Sequence, residues 1–319
     1  MDNVLYIVLP CYKEEEVLPE TSARLQKKLE TLIASGEVSP LSKIMFVNDG
    51  SPDKTWDIIQ GLHKSNPLFA GVNLSRNKGH QNALLAGLMV AKDRADIVIS
   101  MDADLQDDIN AIDEMVQKYK QGNDIVYGVR SSRGVDTAFK RISAEGFYKF
   151  MHALGVDIVF NHADYRLMSK RAIEGLAQFK EANMFIRGIV PMIGYNTDIV
   201  TYERGERLAG ETKYPLKKML TFALEGTTSL SIKPIRMITA LGFMFFFVSA
   251  IMLVYFIVDY FRGGTEPGWA SIIVSIWGIG GLQLLAIGII GEYIGKIYAT
   301  VKDRPRYIVE SVLVDEEGV

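Results

Sequence analysis

The chain has 319 residues, with 35 Lys and Arg against 38 Asp and Glu and a formal net charge of −3. That balance provides no basic field for a nucleic-acid partner. The one cysteine, Cys11, excludes an internal disulfide framework and fits a reducing compartment.

The first apolar run, residues 4–9, is too short for a secretory signal and has no basic residues before it, so no signal peptide is expected. Further strand-like runs follow at 44–47, 71–74, 97–101 and 125–129, with helical patterns at 15–34, 55–63, 81–91 and 109–120. This alternation predicts an α/β domain, a mostly parallel sheet with helices on both faces. Ligands of such sheets bind outside the carboxyl ends of the strands. There the chain places Pro10, Tyr12 and Glu14, then Asn48-Asp49-Gly50-Ser51, then Asp102-Ala103-Asp104-Leu105-Gln106. No GxGxxG and no P-loop occurs.

Acidic strand ends repel phosphates unless a cation lies between. Asp102 and Asp104 suit a shared divalent ion, Mg2+ or Mn2+, completed by substrate phosphate oxygens. Such an ion neutralises charge on a diphosphate leaving group. Each motif alone is weak, because a DxD also forms turns and helix caps, and Asn-Asp-Gly-Ser is a good turn sequence. The histidines His63, His80, His152 and His162 show no metal-ligand spacing.

Residues 204–214 are rich in charge and glycine. Beyond them Leu216, Met219, Leu220, Ala223 and Leu224 share one helical face. This predicts a helix lying in a membrane interface, with packing on the soluble domain as the alternative. Residues 237–258 and 270–291 carry no charge, and each exceeds the roughly 20 residues that cross a bilayer. Lys217, Lys218, Lys233 and Arg236 precede the first span, and Lys296, Lys302, Arg304 and Arg306 follow the second. Basic flanks stay inside, so both termini and the large domain are expected to be cytoplasmic. Gly288, Gly291 and Gly295 allow close helix packing. The expected organisation is a catalytic domain at 1–214, a juxtamembrane helix at 215–235, a two-helix hairpin at 236–294 and a tail at 295–319.

Together the strings VLPCYKEEE, FVNDGSPDKT, SRNKGHQNALLAG and SMDADLQDD are specific. In order and spacing they resemble the GT-A family 2 glycosyltransferases, whose sheet is Rossmann-like. DYRLMSKRA, IRGIVPMIGY and ERGERLAGETKYPLKKM resemble one branch, the polyisoprenyl-phosphate glycosyltransferases. That branch includes dolichol-phosphate mannose synthase and the bactoprenol glucosyltransferases, and two C-terminal spans fit the bacterial type. The likeness covers roughly residues 4–305.

The resemblance implies that Pro10, Tyr12, Glu14, Asp49, Arg76 and Asn77 contact the nucleotide. Many relatives have Asn where this chain has Lys13. It gives Asp102 and Asp104 the metal and diphosphate, and Gln106 the sugar. Asp164 and Arg166 match a D-x-R element near the acceptor, with Asp164 the usual candidate base. A phosphate acceptor is already charged near −1.5 to −2 at pH 7, so a base matters less, and orienting Arg166 is an equal role for Asp164. A cationic cradle matters more. Its candidates are Arg130, Arg166, Arg207 and Lys213, with Arg166 and Lys213 favoured.

The implied reaction is inverting transfer of a hexose, glucose before N-acetylglucosamine, from a UDP-sugar to undecaprenyl phosphate in a bacterial cell membrane. A homo-oligomer, tetramer favoured, is expected. The rivals are a processive polysaccharide synthase and a non-catalytic nucleotide-sugar-binding membrane protein. The first is disfavoured because the chain lacks QxxRW, the second because the Asp102/Asp104 pair is intact.

Overall fold

The computed structural model describes residues 3–130, 162–181, 185–203, 205, 233–262 and 268–314. The chain divides into two compact units, one holding the whole sheet and the other the two long C-terminal helices. Arg207, Lys213 and the juxtamembrane helix expected at 215–235 lie outside the described residues, apart from that segment's last three, which open the first long helix.

The sheet unit begins β1 (Leu5–Cys11), α1 (Leu18–Ala34), β2 (Lys43–Asn48), α2 (Thr55–Ser65), β3 (Phe69–Leu74), α3 (His80–Ala91), β4 (Ile97–Ser100), α4 (Ala111–Lys120) and β5 (Ile125–Arg130). It continues with β6 (His162–Ser169), α5 (Lys170–Ala177), α6 (Ile186–Met192) and β7 (Thr197–Tyr202). The strand order is β7-β5-β6-β4-β1-β2-β3, closed by a C-terminal strand β8 (Val309–Leu313) on β3. The β4-β1-β2-β3 core is parallel, β6 runs antiparallel between β4 and β5, and β8 is antiparallel to β3.

Every residue of β1 and β2 is buried, as a central strand covered on both faces requires. Leu5, Ile7 and Leu9 pack on one face with Leu25 and Leu29 of α1 and Ile112 of α4. Each such buried side chain contributes about 1.5–3 kcal/mol. On the other face Gly87 lets α3 approach closely, since a Cβ there would sit 2.4 Å from Val8. The residues from 304 on, expected as a tail, include a strand of this sheet.

The second unit contains α7 (Lys233–Phe261) and α8 (Trp269–Val301). Among the described residues, the 24-residue stretch Gly278–Val301 is long and apolar enough to cross a membrane, and Ile235–Phe245 is a shorter apolar stretch. Phe243, Phe247, Ile251 and Leu284 are each more than half exposed.

Candidate active site

The acidic loop after β4 is held from two sides. Thr21 Oγ1 donates to the Ala103 carbonyl at 2.8 Å, and Tyr165 Oη donates to the Asp108 carbonyl at 2.9 Å. Leu105 takes a left-handed φ of 57°, a strained conformation for a residue with a Cβ. Asp104 Oδ1 closes the turn by accepting the Gln106 amide at 3.2 Å. Asp104 and Gln106 are buried, whereas 34% of the Asp102 side chain stays exposed. Surrounding protein mass still pushes the Asp102 carboxyl up to about 6, with Asp107, Asp164 and Asp104 adding to the rise and His80 opposing it. A carboxylate so placed favours a cation beside it.

Two other loops lie at the ends of β2 and β3. Asp49 is 2% exposed, and its two oxygens accept the amides of Lys78 and Gly79 at 2.7 and 2.8 Å. Gly50, at φ +59°, lets the loop holding Arg76 and Asn77 close over it, since a Cβ there would lie 2.5 Å from Arg76 C. From β1, Tyr12 is 43% exposed, Pro10 is buried, and the Glu14 amide donates to Thr55 Oγ1 at 3.0 Å.

A second constellation surrounds Asp164. Its Oδ1 accepts Arg166 Nη2 at 2.6 Å and Arg187 Nε at 3.1 Å. Its Oδ2 accepts Arg187 Nη2 at 2.8 Å and lies 3.4 Å from His80 Nε2. His80 Nε2 is also 3.6 Å from Asp102 Oδ1, linking this constellation to the acidic loop. Burial alone raises Asp164, but His80, Arg187 and Arg166 outweigh it and hold the carboxyl well below the usual range. Gln81 Oε1 accepts the Ile186 amide at 3.0 Å and so ties the start of α3 to the start of α6.

The expected site residues thus divide. His80 brings Asp102 and Asp164 together, and Asp104 lies in the same acidic loop as Asp102. Arg166 is 1% exposed, in register with Ser100 and Tyr127, and its Nε and Nη1 meet no hydrogen-bond acceptor among the described residues. Its reachable counterpart is Arg187, whose side chain is 32% exposed and which the sequence motifs did not single out. A weak sign was available: Arg187 is the second residue of the string IRGIVPMIGY, part of the family likeness. Arg130 faces Asp107, 3.6 Å away, and Tyr202, whose hydroxyl donates to Asp107. Gly205, two residues before Arg207, donates its amide to the Gln106 carbonyl at 2.9 Å. Among the described residues no three His, Cys, Asp or Glu side chains form a self-sufficient metal cage.

The glycosyl transferase family 2 profile matches residues 6–176, which include the acidic loop, Asp49, His80, Asp164 and Arg166. The chain belongs to glycosyl transferase family 2. The chain is 54% identical over 314 residues to the uncharacterized glycosyltransferase YkoT of Bacillus subtilis, covering 98% of this transferase and 93% of that one. It is 39% identical over 307 residues to the SfII prophage-derived bactoprenol glucosyl transferase of Shigella flexneri, covering 95% and 96%. With the prophage bactoprenol glucosyl transferase homolog of Escherichia coli it shares 40% identity over 308 residues, covering 96% and 98%.

Proposed function

We propose that this glycosyltransferase moves a glucosyl residue, with inversion, from a UDP-sugar to a polyisoprenyl phosphate at the cytoplasmic face of a bacterial membrane. One observation carries the reading. The likeness to two proteins named for bactoprenol glucosyl transfer runs over 95–96% of this chain, through the sheet unit and the apolar helices alike. The donor side is formed by Pro10, Tyr12, Glu14, Asp49, Arg76 and Gln106. Asp102 and Asp104 fit a divalent ion, Mg2+ or Mn2+, that needs two carboxylates and takes its remaining ligands from water and phosphate. When bound, the ion supplies charge neutralisation at the leaving diphosphate.

In this mechanism Asp164 positions cations and takes no proton. An ionised carboxylate offers about four lone-pair sites, and Arg166, Arg187 twice and His80 face all four. The acceptor phosphate arrives ionised, so its attack on the anomeric carbon asks for alignment and counter-charge. Arg187, fixed by Asp164, supplies one guanidinium. Arg130, Arg207 and Lys213 are the further candidates.

Connectivity supports the topology. The sheet's strands up to Tyr202 and the C-terminal strand Val309–Leu313 share one compact unit, so the chain between Tyr202 and Val309 crosses a bilayer an even number of times. Two crossings, by α7 and α8, leave the basic flanks and the sheet unit on the cytoplasmic side. The proposed organisation is thus a catalytic domain of residues 1–214, a juxtamembrane helix at 215–235 and a hairpin within 236–303, with the last residues rejoining the sheet. Self-association, with a tetramer favoured, would use the face of Gly288, Gly291 and Gly295, where an added Cβ would meet no atom of the described residues within 4 Å. Cross-linking in detergent tests it.

The decisive experiment gives full-length protein UDP-glucose or UDP-N-acetylglucosamine, Mg2+ or Mn2+, and undecaprenyl phosphate. UDP release that requires the lipid phosphate, and that falls at least ~100-fold in Asp104→Asn, is expected. Equal release with a soluble alcohol sinks the acceptor assignment, and unchanged turnover in Asp104→Asn sinks the metal assignment.

A further inference from the structure

β3 and β8 pair antiparallel as Gly71↔Leu313, Val72↔Val312 and Asn73↔Ser311, but the next pair is Leu74↔Val309. Glu310 is therefore the extra residue of a β-bulge, a device that re-aims a side chain. Asn73 Nδ2 donates to Glu310 Oε2 at 2.8 Å. Asn73 Oδ1 accepts Asn48 Nδ2 at 2.7 Å, and Asn48 Oδ1 accepts the Ser51 amide at 3.2 Å. Ser51 Oγ then accepts the Lys13 amide at 3.1 Å. In parallel, the Ile308 carbonyl accepts the Ser75 amide at 3.0 Å, at the start of the loop that Asp49 holds.

The direction of this chain of bonds is set at one end. A carboxylate only accepts, so Glu310 turns the Asn73 amide nitrogen toward itself and the Asn73 oxygen toward Asn48. Asn48, 2% exposed, must then point its nitrogen at Asn73, which leaves its oxygen for the Ser51 amide. A donor at position 310 would favour the reverse of every bond and set an NH2 group against the Ser51 N–H. The C-terminal strand thereby reaches both loops at the ends of β2 and β3.

We propose that Glu310 is a positioning residue of the donor site, setting through Asn73 and Asn48 the shape of the 48–51 and 10–16 loops that receive the nucleotide. This rests on the donor reading above. β8 follows α8 in the chain, so the segment that leaves the apolar hairpin is the one that braces the nucleotide loops.

The test uses full-length protein in detergent and the variants Glu310→Gln, Glu310→Ala and Glu310→Lys. Glu310 is exposed, so all three are expected to fold. UDP affinity and the KM for UDP-glucose should stay within about twofold in Glu310→Gln, which can still present an oxygen. They should weaken about threefold in Glu310→Ala and up to ~10-fold in Glu310→Lys. The KM for undecaprenyl phosphate should not move. In ligand-free protein, amide exchange at Ser51 and Lys13 should accelerate in the same order. Exchange and UDP affinity unchanged in Glu310→Lys overturn the proposal, as does a Glu310→Gln as impaired as Glu310→Lys. Wild-type protein that binds no uridine nucleotide overturns the donor reading instead, and amide exchange still decides whether Glu310 orders the loops.

Discussion

The two halves of the sheet's carboxyl edge are built differently. At the ends of β1, β2 and β3, single side chains hold main-chain amides: Asp49 accepts two, Ser51 accepts another, and Gly50 admits the neighbouring loop without a side chain between. Where β4 meets β6, side chains hold side chains, and His80, Arg166 and Arg187 converge on one carboxylate. Loops held through their amides depend on those few acceptors and leave no room for an added Cβ at Gly50. An ionic hub tolerates small changes of shape but not the loss of one charge.

The largest effect should come from breaking the hub. Asp164→Asn keeps the shape and strands Arg166, which is 1% exposed, without its counter-ion. Removing one partner of a buried pair costs about 3–5 kcal/mol. Turnover with the lipid acceptor should fall on the order of 100-fold as Arg187 loses its alignment. Arg187→Ala should reproduce most of that kinetic loss, and the double variant should be little worse than Asp164→Asn, because the two act as one unit. An Asp164→Asn protein with unchanged melting temperature, no turnover and losses that add to those of Arg187→Ala would make Asp164 the base.

The main-chain side should break next. Gly50→Ala combines a positive φ with a Cβ 2.5 Å from the main chain of Arg76, and should cost about 2–3 kcal/mol. UDP affinity should weaken while the lipid KM holds. Equal losses for both substrates would erase the distinction between the halves.

A smaller effect lies where the halves meet, at Asp102. Its folded pKa of about 6 lies above the ordinary 3.8. The folded state therefore holds this proton more tightly than the unfolded chain. That contribution is complete below about pH 4 and lost as pH rises through about 6. A divalent ion takes the proton's place, so Mg2+ or Mn2+ should raise the melting temperature at pH 7.5 and hardly at pH 5. With a third of the side chain exposed, screening limits the gain to ~1 kcal/mol, or about 2–4 °C. Equal stabilisation at both pH values would place the ion elsewhere.

The same contrast explains what the sequence made legible. β1 to β5 appeared because buried parallel strands leave short apolar runs, and the donor-side loops because each is one local motif. β6 was hidden because Asp164 and Arg166 interrupt its apolar pattern, although Tyr165, Leu167 and Met168 beside them are buried. β7 exposes four of its six residues at least partly, and β8 is a bulged edge strand with no run to see. The hub joins the D-x-R pair, Asp164 and Arg166, to positions 80 and 187, and only the fold brings those two to it. Helix starts were anticipated early, at 15 and 109 for helices beginning at Leu18 and Ala111, because the preceding turns carry helix-like residues.

The smallest effect tests the main-chain side at its most local. Lys13 takes φ 58°, held there by its amide's bond to Ser51 Oγ. A residue with a Cβ is disfavoured in this region, Asn much less so because its short polar side chain bonds locally. Lys13 gives up little else, since its ammonium lies 5.6 Å from the Tyr12 ring centroid, a contact worth at most about 0.5–1 kcal/mol at an exposed site. Lys13→Asn should therefore stabilise the protein by about 0.5 kcal/mol, or ~1–2 °C. Lys13→Gly removes the strain but frees the unfolded chain, so it should gain less. Lys13→Val, branched at Cβ, should lose more than about 1 kcal/mol. The order Asn, Gly, Lys, Val in melting temperature follows only if backbone conformation, and not the lysine charge, sets this loop. A Val variant as stable as wild type would show that the loop relaxes, and backbone conformation at Lys13 would then not set the donor side.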